Sequence, residues 1–278
     1  MLNPLPLPLP LPLPQPPVGP PTTQSHRERA GQVSIENSLL AALPRKEYRL
    51  LLAGLEPVTL TFGKVLYEPG DPIRHVYFPD AALVSLLTLA DGHLALEVGL
   101  IGREGMLGIP LVLGHNVSSV RALVQGSGTA MRMASAHFLK EFRLSLPLQR
   151  EMYRYIHTLM AQISQTAACN RFHVVETRLA RWLLMTHDRV KSDQFRMTQE
   201  FLGHMLGVRR VGVTKAAQAL QKRRLIHYSR GDITVLDRTG LEAAACQCYE
   251  VVKDMHDGAQ AGHAMRKSPV SPAAMSAG

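Results

Sequence analysis

Apolar residues recur along this chain with two different periods. Between Val58 and Arg132 they come in short runs broken by Gly63, Pro69-Gly70-Asp71-Pro72, Pro79-Asp80, Asp91-Gly92, Gly102, Gly114-His115-Asn116 and Gly126-Ser127-Gly128. Short strands with turn signals this closely spaced predict an antiparallel sandwich or roll. Ahead of it, Leu39, Leu40, Leu43, Leu51, Leu52 and Leu55 predict short helical turns. Behind it, Leu148, Met152, Tyr155, Leu159, Ile163 and Thr166 follow one another in steps of three and four, a narrow stripe that suits a helix packed on one partner helix. Its length and its place between two domains favour a dimerisation helix over a simple cover for the roll.

A second helical region carries more chemistry. Residues 197–226 read MTQEFLGHMLGVRRVGVTKAAQALQKRRLI. Thr198 can cap a helix whose inward face is Phe201, Leu202, Met205 and Leu206, and Glu200 suits the positive end of its dipole. Gly207, just past that apolar run, can adopt the left-handed conformation that turns the chain. A second helix then runs from about Arg210 to Gln221. Val213, Ala216, Ala217 and Leu220 face inward on it, leaving Arg210, Val211, Thr214, Lys215 and Gln218 outside. Two helices joined this way match a helix-turn-helix, whose second helix enters a DNA major groove. After them HYSRGDITVL gives two β segments around Arg230-Gly231-Asp232, a hairpin placed as a wing. Before them Val175–Val190 reads as an amphipathic helix, with Leu179, Trp182, Leu183 and Met185 inward. Leu241–Met255 reads as a closing helix.

Charge reinforces the DNA reading. Residues 171–230 hold 13 Lys or Arg against 4 Asp or Glu, so the formal charge of +9 carried by the whole chain resides there. A cationic surface localised on a helix-turn-helix pattern is what phosphate attraction requires. With 278 residues, 46% of them hydrophobic, the chain can build more than one core. Three cysteines, Cys169, Cys246 and Cys248, are too few and too scattered for a disulfide framework, which points to a reducing cytoplasm. The most apolar run, Ala81 to Ala90, is far too short to cross a membrane. The alternating Leu/Pro tail from Pro4 to Pro14 cannot be helical and is expected to be extended and disordered.

This arrangement resembles the Crp/Fnr family of bacterial transcription regulators over roughly Ser38 to Tyr249. The resemblance is carried by GDPIRHVYFP at 70–79, VGLIGREGMLG at 98–108 and TQEFLGHMLGVRRVGVTKAAQAL at 198–220. It implies an α+β chain: a disordered tail at 1–34, a β-roll sensor at 35–145 resembling a cyclic-nucleotide-binding domain, and a dimerisation helix with hinge at 146–172. A winged helix-turn-helix at 173–241 and a closing helix with disordered tail at 242–278 complete it. Implied partners are double-stranded DNA bearing an inverted repeat, a second copy of the chain, and RNA polymerase if the protein activates. The expected dimer contacts are Leu148, Met152, Tyr155, Leu159 and Ile163, and the expected DNA contacts are Thr198, Gln199, Arg209, Arg210, Val211, Thr214, Lys215 and Gln218.

Departures from the family pattern shape the rest. The family's recognition helix commonly opens Ser-Arg-Glu-Thr-Val with another Arg two residues on; here Arg209, Arg210, Val211, Gly212 and Val213 stand there, with Lys215 last. Arg210 and Lys215 keep guanine-compatible cations, while Val211 replaces the acid that accepts from a cytosine amino group. Where nucleotide-binding members place an Arg-Ser/Thr-Ala triplet, this chain has Asn116, Val117 and Ser118. Glu104 and Arg121 are weak ligand candidates, so no response to cyclic AMP, no cofactor and no metal site are expected. Cys246 and Cys248 are read as helical neighbours facing different ways. A nucleotide-responsive member is the first alternative. The second is a cupin-like metalloenzyme using His75, His93, His115 and His137, which lacks the His-x-His pair that chemistry needs; no catalytic residue is assigned.

Overall fold

The computed structural model describes residues 36–90, 94–190 and 192–267, and no helix among them is long and apolar enough to cross a membrane. The Leu/Pro tail, His93 and the last eleven residues lie outside this range. Two short helices open it, α1 (Ser38–Ala42) and α2 (Arg45–Leu52). Asn37 caps α1 by accepting from the Leu40 N–H, and its own amide donates to the carbonyls of Pro79 and Gly105 at 2.9 Å each. A buried amide with every group partnered fastens this start of the chain to the roll.

The roll comprises β1 (Glu56–Leu60), β2 (Val65–Tyr67), β3 (His75–Pro79), β4 (Leu83–Ala90), β5 (Leu94–Ile101), the short α3 (Ile109–Val112), β6 (Arg121–Gly126) and β7 (Gly128–Ala134). Its strands form two antiparallel sheets, ordered β1-β7-β3 and β2-β6-β4-β5. Val76, Phe78, Val84, Met106, Val124 and Met133 fill the interior. Strand β4 alternates: Val84 and Leu86 enter that interior, whereas Leu83 and Leu87 join a second core shared with the carboxy-terminal unit. A strand buried on both faces reads as a near-continuous apolar run, which Ala81 to Ala90 is apart from Ser85 and Thr88.

Next come α4 (Ser135–Leu144) and the long α5 (Leu146–Phe172). The helix runs straight through the stretch expected to hinge at 169–172, and the chain leaves helical geometry only at His173. The expected dimer stripe is also placed differently. Leu148, Met152, Tyr155 and Leu159 are buried in the roll's own core, with Ile163 packed beside them. Tyr155 Oη donates to the Met106 carbonyl at 3.2 Å and Gln162 Nε2 to that of Leu100 at 3.1 Å. A stripe of period 3.5 fixes which face is buried but not against what. Here the same chain covers it.

The carboxy-terminal unit contains α6 (Val175–His187), β8 (Gln194–Arg196), α7 (Gln199–Leu206), α8 (Arg210–Lys222), β9 (Ile226–Ser229), β10 (Asp232–Val235), α9 (Arg238–Ala244) and α10 (Cys248–Lys267). The expected single closing helix is two, broken at Ala245–Gln247, so Cys246 lies in the break and Cys248 begins α10. Helices α6 and α7 pack on the outer face of β2-β6-β4-β5, where Leu83, Leu87, Leu100 and Leu123 meet Leu179, Trp182, Leu183, Leu202 and Leu206.

Candidate nucleic-acid interface

The Thr198 hydroxyl accepts from the Phe201 N–H at 3.1 Å and starts α7. Gly207 ends it at φ 61° and ψ 39°, the left-handed cap expected of it. A β-carbon there would also sit 2.8 Å from Leu96 Cδ1, so the turn between the helices lies directly on strand β5. Phe201, Leu202, Met205 and Leu206 of α7 and Val213, Ala216, Ala217 and Leu220 of α8 are buried together. That packing turns the other face of α8 to solvent. Arg209, Arg210, Lys215 and Gln218 are exposed, and Val211 is 59% exposed.

Thr214 and Gln199 occupy a different environment. The Thr214 hydroxyl lies 2.7 Å from Gln199 Oε1 and 3.0 Å from the Arg210 carbonyl, which ties the start of α7 to α8. Both are half-buried. Their position is at the helix–helix contact, beside the exposed face.

The wing forms as expected. Strands β9 and β10 pair with Ser229 opposite Asp232, and the two-residue loop Arg230-Gly231 has φ of 51° and 92°. Two positive φ angles in a two-residue loop belong to the turn whose twist suits a hairpin. Strand β8, absent from the sequence reading, adds to β10 as a third strand. At three residues it is below what periodicity resolves. Tyr228 ties the wing down, its hydroxyl donating to the Met197 carbonyl at 2.7 Å.

The cationic surface is narrower than the residue count suggests. Arg178 is buried and donates to Asn170 Oδ1 and the Leu206 carbonyl, and Arg181 is buried and donates to Thr166. Arg189 forms an ion pair with Glu104 at 2.7 Å, both side chains largely buried. Burial pulls the Glu104 carboxyl upward, but the Arg189 and His256 charges, with the hydrogen bonds the carboxylate accepts, together outweigh it and hold the group below the ordinary carboxylate range. These three arginines hold the unit together. Arg196, Arg209, Arg210, Lys215, Lys222, Arg223, Arg224 and Arg230 are exposed, with Arg223 3.3 Å from Glu176. They surround the exposed face of α8 and the wing.

Residues 177–244 match the family model described as the Crp-like helix-turn-helix domain. The fold of the whole is found in FixK2 from Bradyrhizobium japonicum, at 13% identity and a TM-score of 0.59, over 69% of this chain and 98% of that one. It is also found in a CRP/FNR-family transcriptional regulator from Thermus thermophilus, at 19% identity and a TM-score of 0.56, over 68% and 98%. A third is CLP of Xanthomonas campestris, a global regulator described as responsive to c-di-GMP, at 17% identity and 0.55, over 69% and 99%. Residues 177–244 are thus a Crp-like helix-turn-helix domain, carried on a chain whose fold is that of Crp/Fnr regulators. No curated protein matches it.

Within that domain the helix-turn-helix occupies residues 198–222, with the α8 face outward. The two ligand candidates in the roll are engaged elsewhere: Arg121 pairs with Glu68 at 2.7 Å, and Glu104 with Arg189 of the carboxy-terminal unit. Among the described residues, His75, His115 and His137 do not assemble into a group that could hold a metal, so the cupin-like arrangement is not formed by these three.

Proposed function

We propose that this protein is a sequence-specific transcription regulator, not a catalyst, acting in the cytoplasm as a homodimer on an inverted repeat. The observation that carries the reading is the exposed α8 face, with Arg210 and Lys215 on it and a cationic rim around it. Arg210 and Lys215 read guanines, while Arg209, Arg223 and Arg224 attract phosphate. Val211 leaves the family's cytosine contact unmade and favours a thymine methyl in its place. Thr198 lies at the α7 start, where backbone phosphates pass, and Gln218 extends the reading face. Gln199 and Thr214 position α8 through each other. An activator of this kind would also touch RNA polymerase.

The dimer reading rests on the face of α5 that the roll does not cover. Leu146, Tyr153 and Met160, exposed at 64%, 54% and 62%, stand seven residues apart and line one side of the helix. A large apolar stripe on the longest of the described helices, directed away from its own core, suits a second copy of that helix. Independence from cyclic AMP rests on Arg121 and Glu104 already having intramolecular partners. A buried cyclic phosphate needs a charge-assisted partner; taking Arg189 would strand the buried Glu104 carboxylate, and taking Arg121 would break its existing pair with Glu68.

Mapping the sites bound across the genome of the producing cell tests the proposal. The expected result is enrichment of an inverted repeat upstream of genes. Binding scattered without sequence preference would contradict it.

A further inference from the structure

Four metal-ligating side chains meet where the long helix ends. Cys169 lies on the last turn of α5, and His173, four residues on, caps the helix on the same side. Cys246 and Cys248 arrive from the break between α9 and α10. Cys169 Sγ is 3.5 Å from Cys246 Sγ, and Cys248 Sγ is 3.4 Å from His173 Nδ1. All four donor atoms lie within 4.8 Å of one another. The cysteines are free thiols, all buried, and His173 closes the cluster from the half-buried side.

These spacings suit a single ion. Metal–sulfur bonds of about 2.3 Å and metal–nitrogen bonds of about 2.0–2.1 Å in a tetrahedron place donors roughly 3.5–3.8 Å apart. An iron–sulfur cluster sets several atoms between its ligands and needs a wider opening. Three thiolates and one imidazole with no position left for water make a closed site, the composition that holds structural zinc. Soft thiolates also disfavour magnesium and calcium.

The surroundings are prepared for such an anionic assembly. One Zn²⁺ with three thiolates and a neutral imidazole carries a single negative charge. Two buried arginines, Arg178 and Arg181, stand by it, and each has an Nε with no hydrogen-bond partner. Gln165 Nε2 lies 3.0 Å from Cys248 Sγ and supplies an outer hydrogen bond of the sort that orients a ligand.

We propose that Cys169, His173, Cys246 and Cys248 bind one Zn²⁺, tying the end of α5 to the junction of α9 and α10. Each thiol still protonated releases its proton to solvent as its sulfur–zinc bond forms, and no electron is transferred. The chain leaves α5 for the reading head at His173–Val174, so the ion clamps the joint between the sensor's helix and the DNA-binding unit.

Cobalt substitution of the untagged, reduced full-length protein tests this. The expected result is one Co²⁺ per chain, with thiolate-to-cobalt charge transfer and the strong d–d bands of a tetrahedral site, displaced by one equivalent of Zn²⁺. His173→Ala, at the half-buried edge, should leave the circular dichroism unchanged while weakening cobalt binding by more than roughly tenfold, since even outer-shell losses cost that much. His173→Cys should keep the bands and shift them, which covers the case in which removal of a buried cysteine disturbs folding. Folded protein without cobalt absorption would overturn the proposal. So would a Cys169–Cys246 disulfide two hydrogens lighter in intact mass with no metal bound, or an iron–sulfur chromophore in the purified protein.

Discussion

The Trp182 indole N–H donates to Glu97 Oε1 at 3.0 Å, joining α6 of the reading head to β5 of the roll inside a buried interface. The other carboxyl oxygen of Glu97 lies 2.7 Å from Ser85 Oγ, and the same hydroxyl contacts Gln125 Oε1. A serine has one proton to donate. If it goes to Gln125, the Glu97–Ser85 contact needs a proton on Glu97. Burial in fact pushes this carboxyl up to about 7, against the opposing pull of the Ser85 and Trp182 hydrogen bonds. Gln125 Nε2 continues the chain to Thr186 of α6 at 3.4 Å, so the roll and the helix-turn-helix unit share one buried polar network.

The pH dependence follows with its sign. A carboxyl raised from 4.5 to about 7 on folding makes the folded state bind the extra proton. Its contribution to stability is complete below pH 4.5 and is lost as pH rises towards about 7, by at most about 3 kcal/mol. Glu97→Gln should flatten that part of the stability profile in urea unfolding followed from pH 5 to 8. An unchanged slope would refute the protonated-carboxyl account.

Arg210→Ala should cost roughly 1–3 kcal/mol on the cognate site and little on random duplex, because it removes base readout and only one phosphate-range charge. Arg224→Ala should weaken both about equally. Mobility shifts on the two DNAs distinguish these outcomes.

Adjacent substitutions on α5 separate folding from dimerisation. Leu159 is buried in the roll, so Leu159→Glu should destabilise the monomer itself. Met160 is exposed, so Met160→Glu should leave melting of the roll little changed and shift sedimentation towards monomer. Equal dimer fractions for wild type and Met160→Glu would rule out this face.

Gly207→Ala should destabilise by about 1–2 kcal/mol, the cost of a left-handed residue with a β-carbon. Gly207→Asn should cost less, since asparagine tolerates that conformation. Thermal unfolding of both variants tests the order.

The helix-turn-helix was legible because each of its signals is local. A capping threonine, a glycine at the turn and four apolar residues at helical spacing on each helix all belong to one stretch of 25 residues. The roll was legible as an architecture from its turns, but not its pairing order, which depends on contacts between distant segments. What escaped the sequence was the choice of partner. Leu148, Met152, Tyr155 and Leu159 show a buried face, and only the fold reveals that the roll covers it. The cationic count had the same weakness, since Arg178, Arg181 and Arg189 are spent on internal partners. Cys246 and Cys248 looked like ill-matched helical neighbours because the break at Ala245–Gln247 carries neither proline nor glycine. Their two ligand companions lie more than seventy residues upstream.

The measurement that tests the central claim most directly is selection of bound duplexes from random DNA by the purified protein, without nucleotide, alongside Arg210→Ala. The account predicts an inverted repeat with half-site centres about one helical turn apart, roughly 34–36 Å, with relaxed preference at one guanine in each half-site for the variant. Enrichment of nothing, or of an unpaired half-site, or of the same sequence by both proteins, would contradict it.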